Sequence, residues 1–288
     1  MAMASANRSL VLLRKMLRNK SILFGLIVVS ALVLMAVLAD RLMPHDPLKI
    51  DLEKRLQPPS SEHLLGADSL GRDILSRIIL GSRVSLGIAL GVVLLSLTVG
   101  IILGTFSGYF MGSWLDEAVM RVMDILMVFP GVLLAMVLLG VTGPGFLNLT
   151  IAIGVASIAP FTRVVRGAVI SVKENMYVEA ARAVGESTQS IILRTILPNA
   201  LAPILTYATL RMGVAVLYAS TLSFLGLGIQ PPNPEWGIMV SDGREFLRVA
   251  PHVSTFPGLV ISMAVLGFNI LGDGLNDFFN PRVRERRG

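Results

Sequence analysis

The chain has 288 residues, 53% of them hydrophobic and 15% charged, with a mean hydropathy of +0.72 and no cysteine. A soluble domain carries about a quarter charged residues, so an ordinary soluble enzyme is excluded, as are disulfides, thiolate metal sites and a cysteine nucleophile. The net charge of +6 sits beside apolar blocks, without the aromatic-and-basic interleaving of a single-strand binder, so it reads as membrane orientation rather than nucleic-acid binding.

A spanning helix needs about 20 mostly apolar residues. Six segments qualify: 22–42, 85–108, 122–142, 147–167, 201–225 and 256–275. The runs are continuous rather than alternating, which selects helices over a closed barrel. Ahead of the first run stand Arg8, Arg14, Lys15, Arg18 and Lys20 with no acidic residue, which puts the N-terminus in the cytoplasm. The first run is long enough to span and has no convincing cleavage site, so it reads as an uncleaved helix rather than a signal peptide. The loop that follows opens Pro44-His45-Asp46-Pro47, a turn signal, and must lie outside. Its Lys49, Lys54, Arg55, Arg72 and Arg77 fit the charge rule poorly, although a long loop counts for less.

In that loop Asp73 and Arg77 have the i, i+4 spacing of a helical ion pair, and Arg72 and Arg77 cannot share one helical neighbour. Asp68, Arg72, Asp73 and Arg77 read either as an outer collar that meets a partner protein or as a solvated face with a local salt bridge. The second span carries Gly87-xxx-Gly91 and Gly100-xxx-Gly104-xxx-Gly108. This spacing permits close helix packing in lipid, either to a second subunit or within this one. Asp116, Glu117, Arg121 and Asp124 fix the start of the third span, as Asp273, Asn276 and Asp277 close the sixth.

The long inner loop, about 168–200, holds Glu179-Ala180-Ala181-Arg182-Ala183-Val184-Gly185 and then Thr195-Ile196-Leu197-Pro198-Asn199. Residues 178–184 form a short helix with small side chains that let another surface approach. Gly185 suits the C′ position that ends it, and Pro198 suits the first turn of the fifth span. This pattern resembles the "EAA" loop of ABC-importer permeases: Glu-Ala-Ala, three residues, Gly, then Ile-x-Leu-Pro. Glu179, Ala180, Ala181, Gly185, Leu197 and Pro198 match, with Thr195 at the Ile position. The resemblance implies that this helix couples the chain to an ATP-hydrolysing subunit.

Further stretches resemble the dipeptide, oligopeptide and nickel branch of that family, C-type subunit. These are His63-Leu64-Leu65-Gly66-Ala67-Asp68-Ser69-Leu70-Gly71-Arg72-Asp73-Ile74-Leu75-Ser76-Arg77, Pro234-Glu235-Trp236-Gly237, Phe268 through Leu275, and Asn280-Pro281-Arg282. Ala67 stands where the family usually has Thr.

Arg211 lies inside the fifth apolar run, where a charge is costly and a functional candidate by default. Either it faces the pore and attracts a substrate carboxylate, or the span starts near Met212 and Arg211 snorkels to the inner interface; the snorkelling of long side chains favours the second. His45, His63 and His252 fall in outer loops without metal-ligand spacing, so no metal is expected. No phosphate-binding Gly-x-x-x-x-Gly-Lys-Ser/Thr loop occurs and no catalytic constellation stands out, so the chain itself is not expected to be an enzyme.

The expected fold is an all-α membrane protein with six transmembrane helices. Its parts are a cytoplasmic segment 1–21, a first transmembrane helix 22–43, a periplasmic loop 44–84, a core permease domain 85–280 with five transmembrane helices and the coupling loop, and a cytoplasmic tail 281–288. The resemblance implies a bacterial inner-membrane location and a second homologous permease. It implies two ATP-binding subunits carrying ATP and Mg2+, an extracytoplasmic solute-binding protein, and contact with membrane lipid. Short peptides are the expected cargo, with nickel chelates, glutathione or another small solute as alternatives. Two other classes are an ion-coupled secondary transporter, which favours discontinuous spans and intramembrane acids, and a non-transporting scaffold, which needs no coupling loop.

Overall fold

The computed structural model describes residues 19–279. Arg8, Arg14, Lys15, Arg18 and the tail 281–288 with Arg282, Arg284, Arg286 and Arg287 lie outside the described residues. Within them the fold is helical, with one isolated β-bridge between Ala67 and Asp73.

Helix α1 runs Lys20–Val37, capped by the Asn19 side chain. Helix α2 runs Ile74–Tyr109. At 36 residues it is about 54 Å long, well beyond a hydrocarbon core of about 30 Å. Its apolar part is the expected 85–108, but the helix starts eleven residues earlier. Asp73 caps it by accepting from the Ser76 N–H at 2.8 Å, and the polar residues of the extra turns find partners inside the protein. Helix α5 spans Phe146–Lys173, α7 Leu197–Phe224 and α9 His252–Phe279. Among the described residues five helices are long and apolar enough to cross a membrane, or six if one bent pair counts as a span.

That bent pair corrects the expected third span, 122–142. Helix α3, Trp114–Val128, and helix α4, Gly131–Thr142, meet at 86°. The break is Phe129-Pro130. Proline disfavours the α conformation in the residue before it, and Phe129 is extended, with φ −93° and ψ 135°. The start of α7 also differs from the expected 201. A helical turn from Thr188 passes into a π-helix, Ile191–Ile196, and then directly into α7. The Leu197 N–H bonds to the Ile192 carbonyl, five residues back. Pro198 has no N–H to offer the Arg194 carbonyl, and a widened turn just before it absorbs the mismatch.

Packing follows the glycines. Added Cβ atoms on Gly100, Gly104 and Gly108 would meet Phe161 Cβ at 2.7 Å, the Thr162 carbonyl oxygen at 2.6 Å and the Arg166 carbonyl oxygen at 2.9 Å. The stripe therefore serves contact between α2 and α5 inside this chain, with backbone against backbone. One core cluster joins Ile88 and Val92 of α2, Leu149 and Ile153 of α5, Val216 and Leu222 of α7, and Phe268 of α9. A second lies at the other end, where Tyr109, Val169, Val178, Ile191 and Ile196 meet. Helix α1 rides on α9, with Gly25 against Leu271 and Gly274 against Ile22.

Between α7 and α9 the chain forms helix α8, Trp236–Gly243. Glu235 is fully buried, caps α8 by accepting from the Ile238 N–H at 3.1 Å, and accepts from Ser85 Oγ at 3.1 Å. The Trp236 indole donates to the Ile78 carbonyl at 3.0 Å. The Pro234-Glu235-Trp236-Gly237 stretch is thus a plug that closes α8 against the first turns of α2.

Candidate functional site

Three places gather the chemistry-bearing residues. The first is the loop between α5 and α7, which contains helix α6, Met176–Ala183. Glu179 in its first turn and Arg182 in its last suit the helix dipole. Its end is a Schellman motif: the Gly185 N–H bonds to the Arg182 carbonyl at 3.0 Å and the Glu186 N–H to the Ala181 carbonyl at 3.1 Å. Gly185 has φ +82°, the left-handed region that only glycine enters at no cost. Val178 is buried in the second core cluster, and Ala181 and Leu197 pack against it. Glu179, Ala180, Gly185 and Pro198 are exposed. So are Met176 and Val184, at 85% and 83%. The six residues matched to the coupling pattern therefore divide into an inward anchor and an outward knob of small and apolar groups.

The knob is tied to α2. Lys173 donates to the Tyr109 carbonyl at 2.6 Å, and both Lys173 and Arg182 lie 5.4 Å from the Tyr109 ring centre. Next to it, Asp116 of α3 accepts two bonds from Arg166 of α5, both 2.8 Å, one from the Gly112 N–H at 3.0 Å, and one from Ser107 of α2. Asp116 thus does more than hold its own helix end; it joins α2, α3 and α5.

The second place is Arg211. Arg211 lies within α7, which at 28 residues is, like α2, longer than a hydrocarbon core needs. Arg211 is the fifteenth of the 28 residues of α7, about 20 Å from its C-terminal end. It is part-buried and donates to Ser157 Oγ of α5 at 2.9 Å, while its Nε is buried without a partner. Among the described residues no carboxylate forms an ion pair with it. A guanidinium at mid-helix, with unused donors and one neutral partner, has capacity for an anion.

The third place is at the far end of α2 from α6. Asp68, Arg72, Asp73 and Arg77 are all buried, so they form an internal network rather than a collar that touches a partner. The expected Asp73–Arg77 pair does not form. Asp68 serves both guanidiniums, Arg72 Nε at 2.7 Å and Arg77 Nε at 3.4 Å, and also accepts the Leu70 and Arg72 N–H groups at 2.8 and 3.0 Å. Asp73 and Arg77 do stand one helical turn apart, with the Arg77 N–H bonded to the Asp73 carbonyl, but the Asp73 carboxylate caps α2 and meets His63 instead. Gly71 has φ +74°, and a Cβ there would lie 1.7 Å from the Asp51 carbonyl oxygen. Arg77 also reaches the Pro47 carbonyl at 3.3 Å. Asp242 of α8 borders the same network; burial holds its carboxyl above the usual range, opposed by Arg77 and Arg72.

The histidines also depart from the expectation drawn from spacing. His45, His63 and Asp73 offer ligand atoms that all lie within 4.8 Å of one another. No local motif announces this, since the three residues lie on separate turns that only the folded loop brings together.

Comparison with known proteins gives the frame for these places. The family described as "Binding-protein-dependent transport system inner membrane component" matches residues 100–285, and the "N-terminal TM domain of oligopeptide transport permease C" matches residues 11–59. The chain is 42% identical over 271 residues to a dipeptide transport system permease protein of Alkalihalophilus pseudofirmus, covering 94% of this chain and 89% of the relative. It is 42% identical over 272 residues to a glutathione transport system permease protein of Pectobacterium atrosepticum, covering 94% and 90%. Among solved structures, an inward-facing methionine ABC transporter aligns with a TM-score of 0.59 at 17% identity, over 72% of this chain and 98% of that one. An amino acid ABC transporter aligns with a TM-score of 0.53 at 17% identity, over 74% and 95%. The broken third span is a mark expected of ion-coupled carriers, yet a family match over more than half the chain, joined to these long alignments, decides the class. The chain belongs to the family of binding-protein-dependent inner-membrane transport components, as a C-type permease subunit of an ABC importer.

Proposed function

We propose that this chain is one of two related transmembrane subunits that pass short peptides inward, driven by two ATP-binding subunits that carry ATP and Mg2+. An extracytoplasmic solute-binding protein delivers the cargo. The observation that carries this reading is the similarity over 94% of the chain to permeases named for dipeptide and glutathione transport. Both cargoes are small peptides with free carboxylates. Both termini and the α6 loop face the cytoplasm, where α6 seats in the ATP-binding subunit through Glu179, Ala180 and Gly185, with Ala181 and Leu197 anchoring it and Pro198 opening α7 behind it. Nucleotide binding prefers one arrangement of the spans, and α6 is the contact through which that preference reaches them.

Affinity purification of the detergent-solubilised chain at native expression tests the assembly. A second permease and two ATP-binding subunits should co-purify; their stoichiometric absence in gentle detergent would count against the whole reading.

Arg211 supplies the anion-attracting group of the pathway. A charge-assisted hydrogen bond contributes about 1.5–3 kcal/mol, roughly ten- to a hundredfold in affinity. Arg211→Gln should therefore lower ATP-driven uptake of a labelled dipeptide into proteoliposomes at low substrate by about tenfold or more. Uptake of the same dipeptide as its C-terminal amide should change much less. An equal loss for both compounds would remove Arg211 from the substrate path and leave it as a packing residue.

A further inference from the structure

We infer that His45, His63 and Asp73 form a binding site for a single divalent transition-metal ion of the zinc class, at the end of α2 remote from α6. The donor set is two imidazoles and one carboxylate, which suits borderline divalent ions and leaves a position for water. The three ligand atoms converge: Asp73 Oδ1 lies 2.9 Å from His63 Nδ1 and 3.8 Å from His45 Nδ1. Ligands bound at about 2.0–2.2 Å around a tetrahedral ion stand a little over 3 Å apart, so small side-chain rotations close the set. The two imidazole rings are already neighbours, 4.8 Å between centres and tilted by 41°.

The scaffold behind the ligands is what separates this cluster from a chance meeting of polar groups. The second oxygen of Asp73 is held by the N–H of Ser76 at 2.8 Å and by its hydroxyl at 2.7 Å. The same hydroxyl oxygen accepts the backbone N–H of His45 at 3.1 Å. One serine on the first turn of α2 therefore orients two of the three ligands, the kind of outer support that metal sites need. Arg77 holds the same segment by the Pro47 carbonyl. His63 is positioned by reciprocal bonds with Ser60, the His63 N–H to Ser60 Oγ at 3.1 Å and the Ser60 N–H to the His63 carbonyl at 2.8 Å.

Access is one-sided. The side chains of His63 and Asp73 are nearly fully buried, while that of His45 is 38% exposed. His45 forms the open wall by which an ion enters and where water completes its coordination. His63 Nδ1 lies within hydrogen-bond distance of Asp73 Oδ1, and its Nε2 is buried without a partner, so the ring is held through one nitrogen alone. Binding uses the Nδ1 lone pair of each histidine, which puts the ring protons on Nε2 and releases any proton held at Nδ1. The ion then cross-links the segment just after α1 to the first turn of α2.

The test uses the full chain purified in detergent with a tag free of histidine. Equilibrium dialysis against Zn2+ at micromolar free concentration, with elemental analysis, should give one ion per chain. Thermal unfolding should shift upward with Zn2+, because the ion binds the folded form preferentially. His45→Ala leaves the buried pair in place and removes only the open wall. It should weaken Zn2+ binding by at least about tenfold, since even outer-shell losses cost that much, and abolish the thermal shift while the far-UV spectrum stays unchanged. Absence of stoichiometric Zn2+ from the unaltered chain would overturn the site and leave a simple histidine–aspartate hydrogen bond. Equal binding by the unaltered chain and His45→Ala would overturn it as well, by placing the ion elsewhere.

Discussion

Gly185→Pro is expected to abolish ATP-driven uptake while the protein still inserts in the membrane at normal levels. Proline holds φ near −65°, whereas Gly185 sits at +82° and donates its N–H to the Arg182 carbonyl. The substitution removes that donor and forbids the conformation, so the end of α6 unwinds and the Glu186 bond to Ala181 goes with it. Gly185→Ala is the graded comparison. Nothing lies within 4 Å of where its Cβ would stand, so its cost is the left-handed backbone alone, about 1–2 kcal/mol, and partial uptake should survive. Uptake assays on both variants, normalised to membrane content by immunoblot, decide the matter. Full uptake by a well-inserted Gly185→Pro protein would remove α6 from the coupling path.

Asp68→Ala should be the most damaging of single substitutions in the loop between α1 and α2. It leaves the buried guanidiniums of Arg72 and Arg77 without their shared carboxylate and takes away the acceptor of two turn N–H groups. Breaking a buried pair by removing one partner costs about 3–5 kcal/mol. Glu62→Gln is the control. Its ion pair with Lys54 is exposed, and such pairs contribute about 0–1 kcal/mol. Thermal unfolding in detergent should fall sharply for Asp68→Ala and barely for Glu62→Gln. Similar shifts for the two would mean that the buried network contributes little to the loop.

What could be read from the sequence was local. The ending of α6 was legible because one glycine and its neighbours suffice to specify a helix end, and the apolar runs located the membrane-facing parts of α2, α5, α7 and α9. The break in the third span was hidden because a hydropathy average runs smoothly across Phe129-Pro130; the proline was the available signal. A window of composition also cannot see that Arg211 donates to Ser157 on another helix. The ion-pair assignment for Asp73 and Arg77 failed because the Asp73 carboxylate caps α2 and meets His63, while Arg77 turns to Asp68. His45, His63 and Asp73 could not be grouped at all until the loop was folded.

The length of α2 has a mechanical consequence. One unbroken rod joins the buried charge network at Arg77 to the aromatic contact at Tyr109, where Lys173 and Arg182 bear on it. A helix of this length has arms of about 27 Å on either side of its midpoint. A tilt of about 10° about that midpoint carries each tip through roughly 5 Å, about one helical pitch. A push on the α6 side therefore returns as an opposite displacement of similar size at the other face. A stiff lever pivoted within its glycine-lined bed against α5 needs no chain of side-chain rearrangements through the core to make the two faces of the membrane answer to each other.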